Sequence, residues 1–445
     1  MNSIAIDEVL AKLPAAELEQ SLQRFLAPMI AVVPDRRLQR VLPLAVRGIL
    51  ARESPVITQM AQSVARTDTA PWPAAKRLYR FLDNSRIPVR RLFKGLYQRA
   101  RVTVAQEQPP YVVVAVDPVN FEKPYTHALA GVSTVRKSTP PDRHGKARLT
   151  RGYPAITATI VNTRVPAITY ANWFSYCVGF RSENWEIKRA LRMTRAVLPT
   201  HHLRFVGDAG LDDQKIFQWI TELRSEFVIR ACHLERIVEV ANPRLNRWES
   251  EHLQDLVDTV PFATTWAVTF THAGATRQAT VKVGWLPIRL PETQQELWAV
   301  VAEEYDVEDH AVRTLVLLTN VPITGEAKAQ AVYEDWRLRG RIEHGYRFDQ
   351  EQGLDVEDMR VQTLARMQRL FALVLIAAQF VFHLMTTWPP QAVLWLRKLG
   401  GKLEVAMDRD GPYLVLRGLH ALWQTVATLS LLAIEPFPHD AFETT

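Results

Sequence analysis

Cysteine is nearly missing from this chain: Cys177 and Cys232 are the only two in 445 residues. They form neither a metal-binding spacing nor a disulfide framework, which excludes a stapled secreted scaffold and fits a reducing compartment. No leader is expected either. MNSIAIDEVLAKL has no basic start and no uninterrupted apolar run, so no signal peptide is expected. No internal repeat or low-complexity tract is visible. Neither sign of charge dominates, since 54 Lys/Arg against 47 Asp/Glu give +7. At this length the distribution of that charge says more than its total. One long uncharged run stands out, Leu370 to Leu396, which could span a bilayer by length alone. Gln379, His383 and the Pro389-Pro390 break divide it, so a buried core helix followed by a second piece is expected.

What is present is an ordinary globular composition, 47% apolar and 23% charged, in a chain long enough for two or three domains. Residues 1–105 have helical apolar spacing. From Asp35 to Arg101 fifteen Lys/Arg face four Asp/Glu, and KRLYRFLDNSRIPVRRLFKGLYQRAR interleaves bases, Arg90 and Arg91 among them, with aromatics. That pattern is an electrostatic footprint for a phosphate backbone, although a solvated basic face has equal claim to it. The texture then changes. YVVVAVDPV is a continuous β-branched run, the mark of a buried central strand, and GYPAITATIVN, VPAITYANWFSY, LRFVG and EFVIRACH are further strands. SENWEIKRALRMTRAVL and DDQKIFQWITELR are helices between them, so an α/β core is predicted over 106–234. Helical signals fade over 235–324, which is expected to be a β-rich inserted subdomain. The core resumes over 325–390, and 391–445 remains as a C-terminal candidate for dimerisation.

Three acids stand out by position. Asp117 and Asp208 each end an apolar strand, and ligand sites in α/β sheets gather at the carboxyl ends of strands. Glu343 lies on the predicted helix after the β-rich block. Trp336, Arg339, Glu343, Arg347 and Gln350 fall within an arc of roughly 80° on that helix, one continuous face. Singly, each acid is more often a cap, a turn residue or a solvated side chain. Jointly, they are a hard oxygen set suited to Mg²⁺ or Mn²⁺ and, with two ions, to phosphoryl transfer. The loop RKSTPPDRHGKARLTR holds Lys137, Arg143, Lys146 and Arg148 near Asp117 and is a further candidate for DNA contact.

On these motifs the chain resembles the bacterial insertion-sequence transposases of the DDE class, of the IS-four type with a Y-(2)-R-(3)-E-(6)-K signature. Arg339 and Glu343 match the signature, Trp336 stands in place of its tyrosine, and Gln350 in place of its lysine. VAVDPVNFEKPY and VGDAGLDDQKIFQWI resemble the family's two aspartate motifs. The resemblance covers about Tyr111 to Leu384. It implies a ribonuclease-H-like core with a β-rich insertion and a helical DNA-binding region before it. It also implies Asp117, Asp208 and Glu343 as catalytic metal ligands for two Mg²⁺ or Mn²⁺ ions. Terminal inverted repeats and target DNA are the implied partners, with Arg339, Arg347 and Trp336 at the DNA. A homodimeric synaptic complex and a cytoplasmic, nucleoid-associated bacterial setting follow, with no membrane role. A regulator that has lost catalysis, or a structure-specific nuclease on the same core, are the alternatives.

Overall fold

Apolar residues three and four apart build the first quarter of the chain. The computed structural model describes residues 3–64, 70–126, 128–137, 139, 145–242, 247–272, 275–305, 311–342, 345, 348, 353–401 and 411–434. Six helices come first: α1 (Ser3–Ala11), α2 (Ala15–Ala31), α3 (Arg36–Arg52), α4 (Ile57–Val64), α5 (Pro71–Asp83) and α6 (Val89–Glu107). On α2 the buried set is Leu18, Leu22, Phe25, Leu26 and Met29, a single stripe. Asp35 starts α3 by accepting the Arg37 amide at 2.7 Å, a side-chain cap of the kind that satisfies an orphan N–H.

Twelve strands then form one sheet. They are β1 (Val112–Glu122), β2 (Ser133–Arg136), β3 (Leu149–Ile160), β4 (Ala167–Trp173), β5 (Leu203–Gly207), β6 (Glu226–Arg230), β7 (Ile237–Asn242), β8 (Arg247–His252), β9 (Thr264–His272), β10 (Ala275–Leu290), β11 (Gln295–Tyr305) and β12 (Ala311–Thr319). Their order is β2-β3-β1-β5-β6-β12-β11-β10-β7-β8, with β4 on β3 and β9 on β10. The central three, β1, β5 and β6, are parallel, while β3 and β12 flank them antiparallel. The helices among and after the strands are α7 (Glu183–Val197), α8 (Gln214–Glu222), α9 (Leu253–Val257), α10 (Glu326–Arg337), α11 (Leu364–Thr387), α12 (Pro390–Leu399) and α13 (Pro412–Ile434). This is a mixed α/β fold with a large mixed sheet and a helical N-terminal region, and the order β4-β3-β1-β5-β6 is consistent with a ribonuclease-H-like core.

The β-rich block is joined to the core through its last strand. Rather than standing apart, β12 pairs with β6 from Leu317↔Arg230 to Thr319↔Val228, and the remaining strands extend the core sheet outward. An uncovered β6 edge would leave a row of unpaired backbone groups, and β12 satisfies them. Local periodicity is blind to which edge a strand joins.

Alternation along the strands sorts the core into two layers. Val112, Val114 and Val116 face α6, α7, α8 and α11 on one side of the sheet. Val113, Ala115 and Val206 face Ala329, Val332, Tyr333 and Trp336 of α10 on the other. Helix α11 is long and apolar enough to cross a membrane, yet 67% of its apolar window is buried, against α3, α5, α6 and α13. Pro389 stops it and caps α12, so the uncharged run is divided where its prolines predict.

Candidate functional site

The parallel pairing of β1 with β5 runs from Val112↔Leu203 to Ala115↔Val206. Carried two residues further, the same offset sets Asp117 level with Asp208 on neighbouring strands, which lie about 4.8 Å apart. Both belong to the α10 face. Asp117 follows Val113 and Ala115 at two-residue spacing, and Asp208 follows Val206 and Arg204, whose guanidinium reaches Asp335 of α10.

The motif DAGLDD divides its three aspartates between structure and chemistry. Asp213 caps α8 by accepting the Lys215 amide at 2.7 Å. Asp212 is buried and fully committed, with Oδ2 accepting the Cys232 and His233 amides at 2.8 and 3.1 Å. Its Oδ1 receives Arg236 at 2.7 Å. Asp212, Cys232 and His233 gather their ligand atoms within 4.8 Å, but the Arg236 cation already neutralises Asp212 at 2.7 Å, so the cluster braces a turn. Asp208 is different. It begins the short turn Ala209–Leu211 with its backbone alone, making no side-chain cap bond. Its Oδ1 is buried and accepts no hydrogen bond.

Two guanidiniums approach Asp208 instead. Arg230, at the end of β6, puts Nη1 3.6 Å from Oδ1, and Arg339 puts Nη2 3.8 Å from Oδ2. Both distances exceed hydrogen-bonding range, so they supply positive potential and leave the carboxylate lone pairs available. Trp336 sets the last turn of α10 against the same strand end. Its indole N–H donates to the Gly207 carbonyl at 3.2 Å, and the Arg339 guanidinium lies 5.7 Å from its ring.

A buried charge network fixes α10 on the sheet. Arg204, 4% exposed, donates Nη1 to Asp335 and holds Glu226 through Nε at 2.8 Å and Nη2 at 2.7 Å. The Tyr111 hydroxyl adds a bond to Asp335 at 3.1 Å. Burial pushes the Asp335 carboxyl above its usual range despite Arg204 and Tyr111, which pull it down. Further along, Arg341 donates to the carbonyls of Val161, Thr163 and Arg164 in the β3–β4 turn. On the opposite flank, the buried Lys123 ammonium bonds the carbonyls of Val356, Glu357 and Met359. That strut ties the end of β1 to the segment after residue 353. Burial lowers the Lys123 pKa to about 8, opposed by Glu357 and its acidic neighbours.

The expected site residues are therefore distributed as follows. Asp117, Asp208 and Arg339 come to one end of the sheet. Glu343, Arg347 and Gln350 lie outside the described residues, as does Arg143. The continuous helical face from Trp336 to Gln350 is interrupted, because α10 ends at Arg337 and Leu338–Arg339 form a turn. Trp336, expected at the DNA, is instead 4% exposed and acts as a brace for Gly207. Its apolar bulk is better accommodated under α10 than in water. Lys137, Lys146 and Arg148 sit on the β2–β3 hairpin, where the Lys137 amide bonds the Arg148 carbonyl at 2.8 Å. This hairpin lies on the course of β3 beyond Thr157, the partner of Asp117. Trp266 and Trp285 pack beside the α10 layer, with Trp266 Nε1 bonded to Glu334 at 3.1 Å. Arg230 was not anticipated, yet the strand-end rule that marked the two aspartates marks it too. Arg204 is a charge within an apolar run, while Asp335 and Lys123 had no sequence signal.

Residues 180–380 match the family model described as a transposase DDE domain. The matched span contains the positions of Asp208 and Glu343 and begins after Asp117. No curated protein matches the chain. Among solved structures it is similar to the chain in a cryo-EM structure of the piggyBac transposase synaptic complex with hairpin DNA. There the identity is 9% and the TM-score 0.39, with 100% of this chain and 85% of that chain covered.

Proposed function

We propose that this chain is a DNA transposase that cleaves phosphodiesters at the ends of a mobile element and joins the released 3′-hydroxyl to target DNA. What supports this reading is the β1–β5 register, whose offset, carried two residues past its last pair Ala115↔Val206, brings Asp117 level with Asp208, within a chain whose residues 180–380 match a transposase DDE domain. The donor set fits a hard divalent cation. Strand alternation puts both carboxylates on one face of the sheet, and a buried Asp208 oxygen has no hydrogen bond. Asp117, Asp208 and Glu343 would hold Mg²⁺ or Mn²⁺, which when bound supplies the Lewis acidity that phosphodiester hydrolysis and transesterification need.

The chain's own groups have distinct tasks. Arg230 and Arg339 flank Asp208 and present planar donors to phosphate oxygens entering beside it. Trp336 and the Arg204 network keep α10 seated, so Arg339 stays aimed at Asp208. The basic β2–β3 hairpin, with Lys137, Lys146 and Arg148, guides the backbone, and two ends would be paired in a homodimeric complex.

The test is cleavage and strand transfer on a duplex carrying the element's terminal inverted repeat, with Mg²⁺ or Mn²⁺. Asp208→Asn and Glu343→Gln are expected to bind the duplex and fail to cut it. Retained cleavage in Asp208→Asn would overturn the assignment. Cutting without joining by the wild type would identify a nuclease, and binding without cutting a regulator.

A further inference from the structure

On the face of the sheet opposite Asp208, α6 and α7 pack over β4 and enclose a groove of about 1100 Å³. Arg90, Arg91 and Lys94 line it from α6, and Arg189 and Arg192 from α7. At 100° per residue, positions 90, 94 and 101 form one stripe along α6, and 189, 192 and 196 form another on α7. No Asp or Glu is among the described residues lining the groove. Some of its cations serve the fold. Arg101 donates to the Val197 carbonyl at 2.6 Å, Arg369 to that of Leu82 at 2.6 Å, and Arg189 pairs with Glu186 at 3.0 Å. Arg90, Arg91, Lys94 and Arg192 are exposed and make no ion pair with a described residue. Like charges gathered without compensation repel one another, and a polyanion is what relieves that repulsion along a line. The floor between the stripes is apolar, with Phe93, Tyr97 and Met193.

We propose that the α6–α7 groove binds the phosphate backbone of duplex DNA away from the base pairs that react, as a second DNA track. This deepens the transposase reading and rests on it for the identity of the polyanion. From Arg90 to Lys94 the helix advances about 6 Å, about two steps of a DNA strand at 3.4 Å each, and Arg192 adds a contact from the facing helix. Side chains on helix faces that meet only backbone read no sequence, so the track contributes affinity without specificity.

The experiment uses the full chain in EDTA, so that binding is measured without cleavage. Fluorescence anisotropy is recorded over a salt series on a long duplex bearing the terminal repeat and on an unrelated duplex of equal length. The variant is the combined Arg90→Gln, Lys94→Gln, Arg192→Gln protein, with thermal unfolding as the folding control. The expected result is a loss of about 10- to 100-fold on both duplexes and a log–log salt slope smaller by about 2–3. Unchanged affinity and slope in a folded variant overturn the proposal, as does preferential binding of poly-glutamate over DNA. A wild type that binds neither duplex sinks the transposase reading itself. Indifference of the triple variant alone sinks only the groove.

Discussion

Replacing Arg204 with methionine should unseat α10 while leaving the rest of the sheet paired. In the wild type one guanidinium serves two carboxylates, Glu226 through bonds of 2.7 and 2.8 Å and Asp335 through Nη1. Arg204 is 4% exposed and Asp335 6%, so Arg204→Met leaves two negative groups facing each other with little water. Removing one partner of a buried pair costs about 3–5 kcal/mol. Asp335→Asn is milder, because Arg204 keeps both bonds to Glu226 and Tyr111 keeps an acceptor. It should cost about 1–2 kcal/mol. The pH dependence follows from the raised Asp335 pKa. A carboxyl raised in the folded state favours folding when protonated. That contribution is present below the unfolded value and lost as pH rises through the folded one. The Arg204→Met defect should therefore be smaller at acid pH than at neutral pH. Native-state hydrogen exchange of the α10 amides is the assay. At about 1.4 kcal/mol per factor of ten, protection should fall by about two to three and a half orders of magnitude in Arg204→Met. In Asp335→Asn it should fall by about one. Equal losses in the two variants, or α10 amides no more labile than those of β5, would refute the reasoning.

Other consequences can be measured alongside. His383 accepts from Arg99 Nη2 at 3.1 Å, and burial with that cation lowers its pKa to about 4. Between pH 6.5 and 4 the unfolded chain binds a proton that the folded chain refuses, so stability should fall on acidification by about 1–2 kcal/mol after solvent screening. Urea midpoints of wild type and His383→Gln across that window check this, and an identical pH dependence would contradict it. Asp212→Ala strands Arg236 and two backbone amides and should cost about 3 kcal/mol. Calorimetry should also show no stoichiometric Zn²⁺ binding that Cys232→Ser removes, because the Arg236 cation already occupies Asp212. Lys123→Met leaves three carbonyls without their donor. Exchange protection should drop by about tenfold or more across residues 353–363 while α5 and α6 keep theirs.

Sequence reading and structure part company at identifiable residues. The strand YVVVAVDPV and the turn after LRFVG were legible because a buried parallel strand is a continuous β-branched run with few alternatives. The register between them was not. That Asp117 and Asp208 come level depends on backbone pairing of Val112 with Leu203, and no side-chain pattern specifies it. Trp336 shows the opposite failure. Helical spacing grouped it with Arg339 and the family resemblance placed it at the DNA, whereas in the structure its indole supports Gly207. Aromatic character alone does not separate a stacking platform from a core side chain.

The amino-acid sequence by itself determined the two aspartates, the alternation of strands with helices, the divided apolar helix and the basic stripe on α6. These depend on local rules of spacing and composition that act within one element. Only the tertiary structure decided that the β-rich block extends the core sheet and that Arg204 serves Glu226 and Asp335 together. It alone placed Arg230 beside Asp208 and set a basic groove on the far face. Each of those is a meeting of residues distant along the chain. Register, edge pairing and the burial of charge settle such meetings, and they are properties of the packed whole.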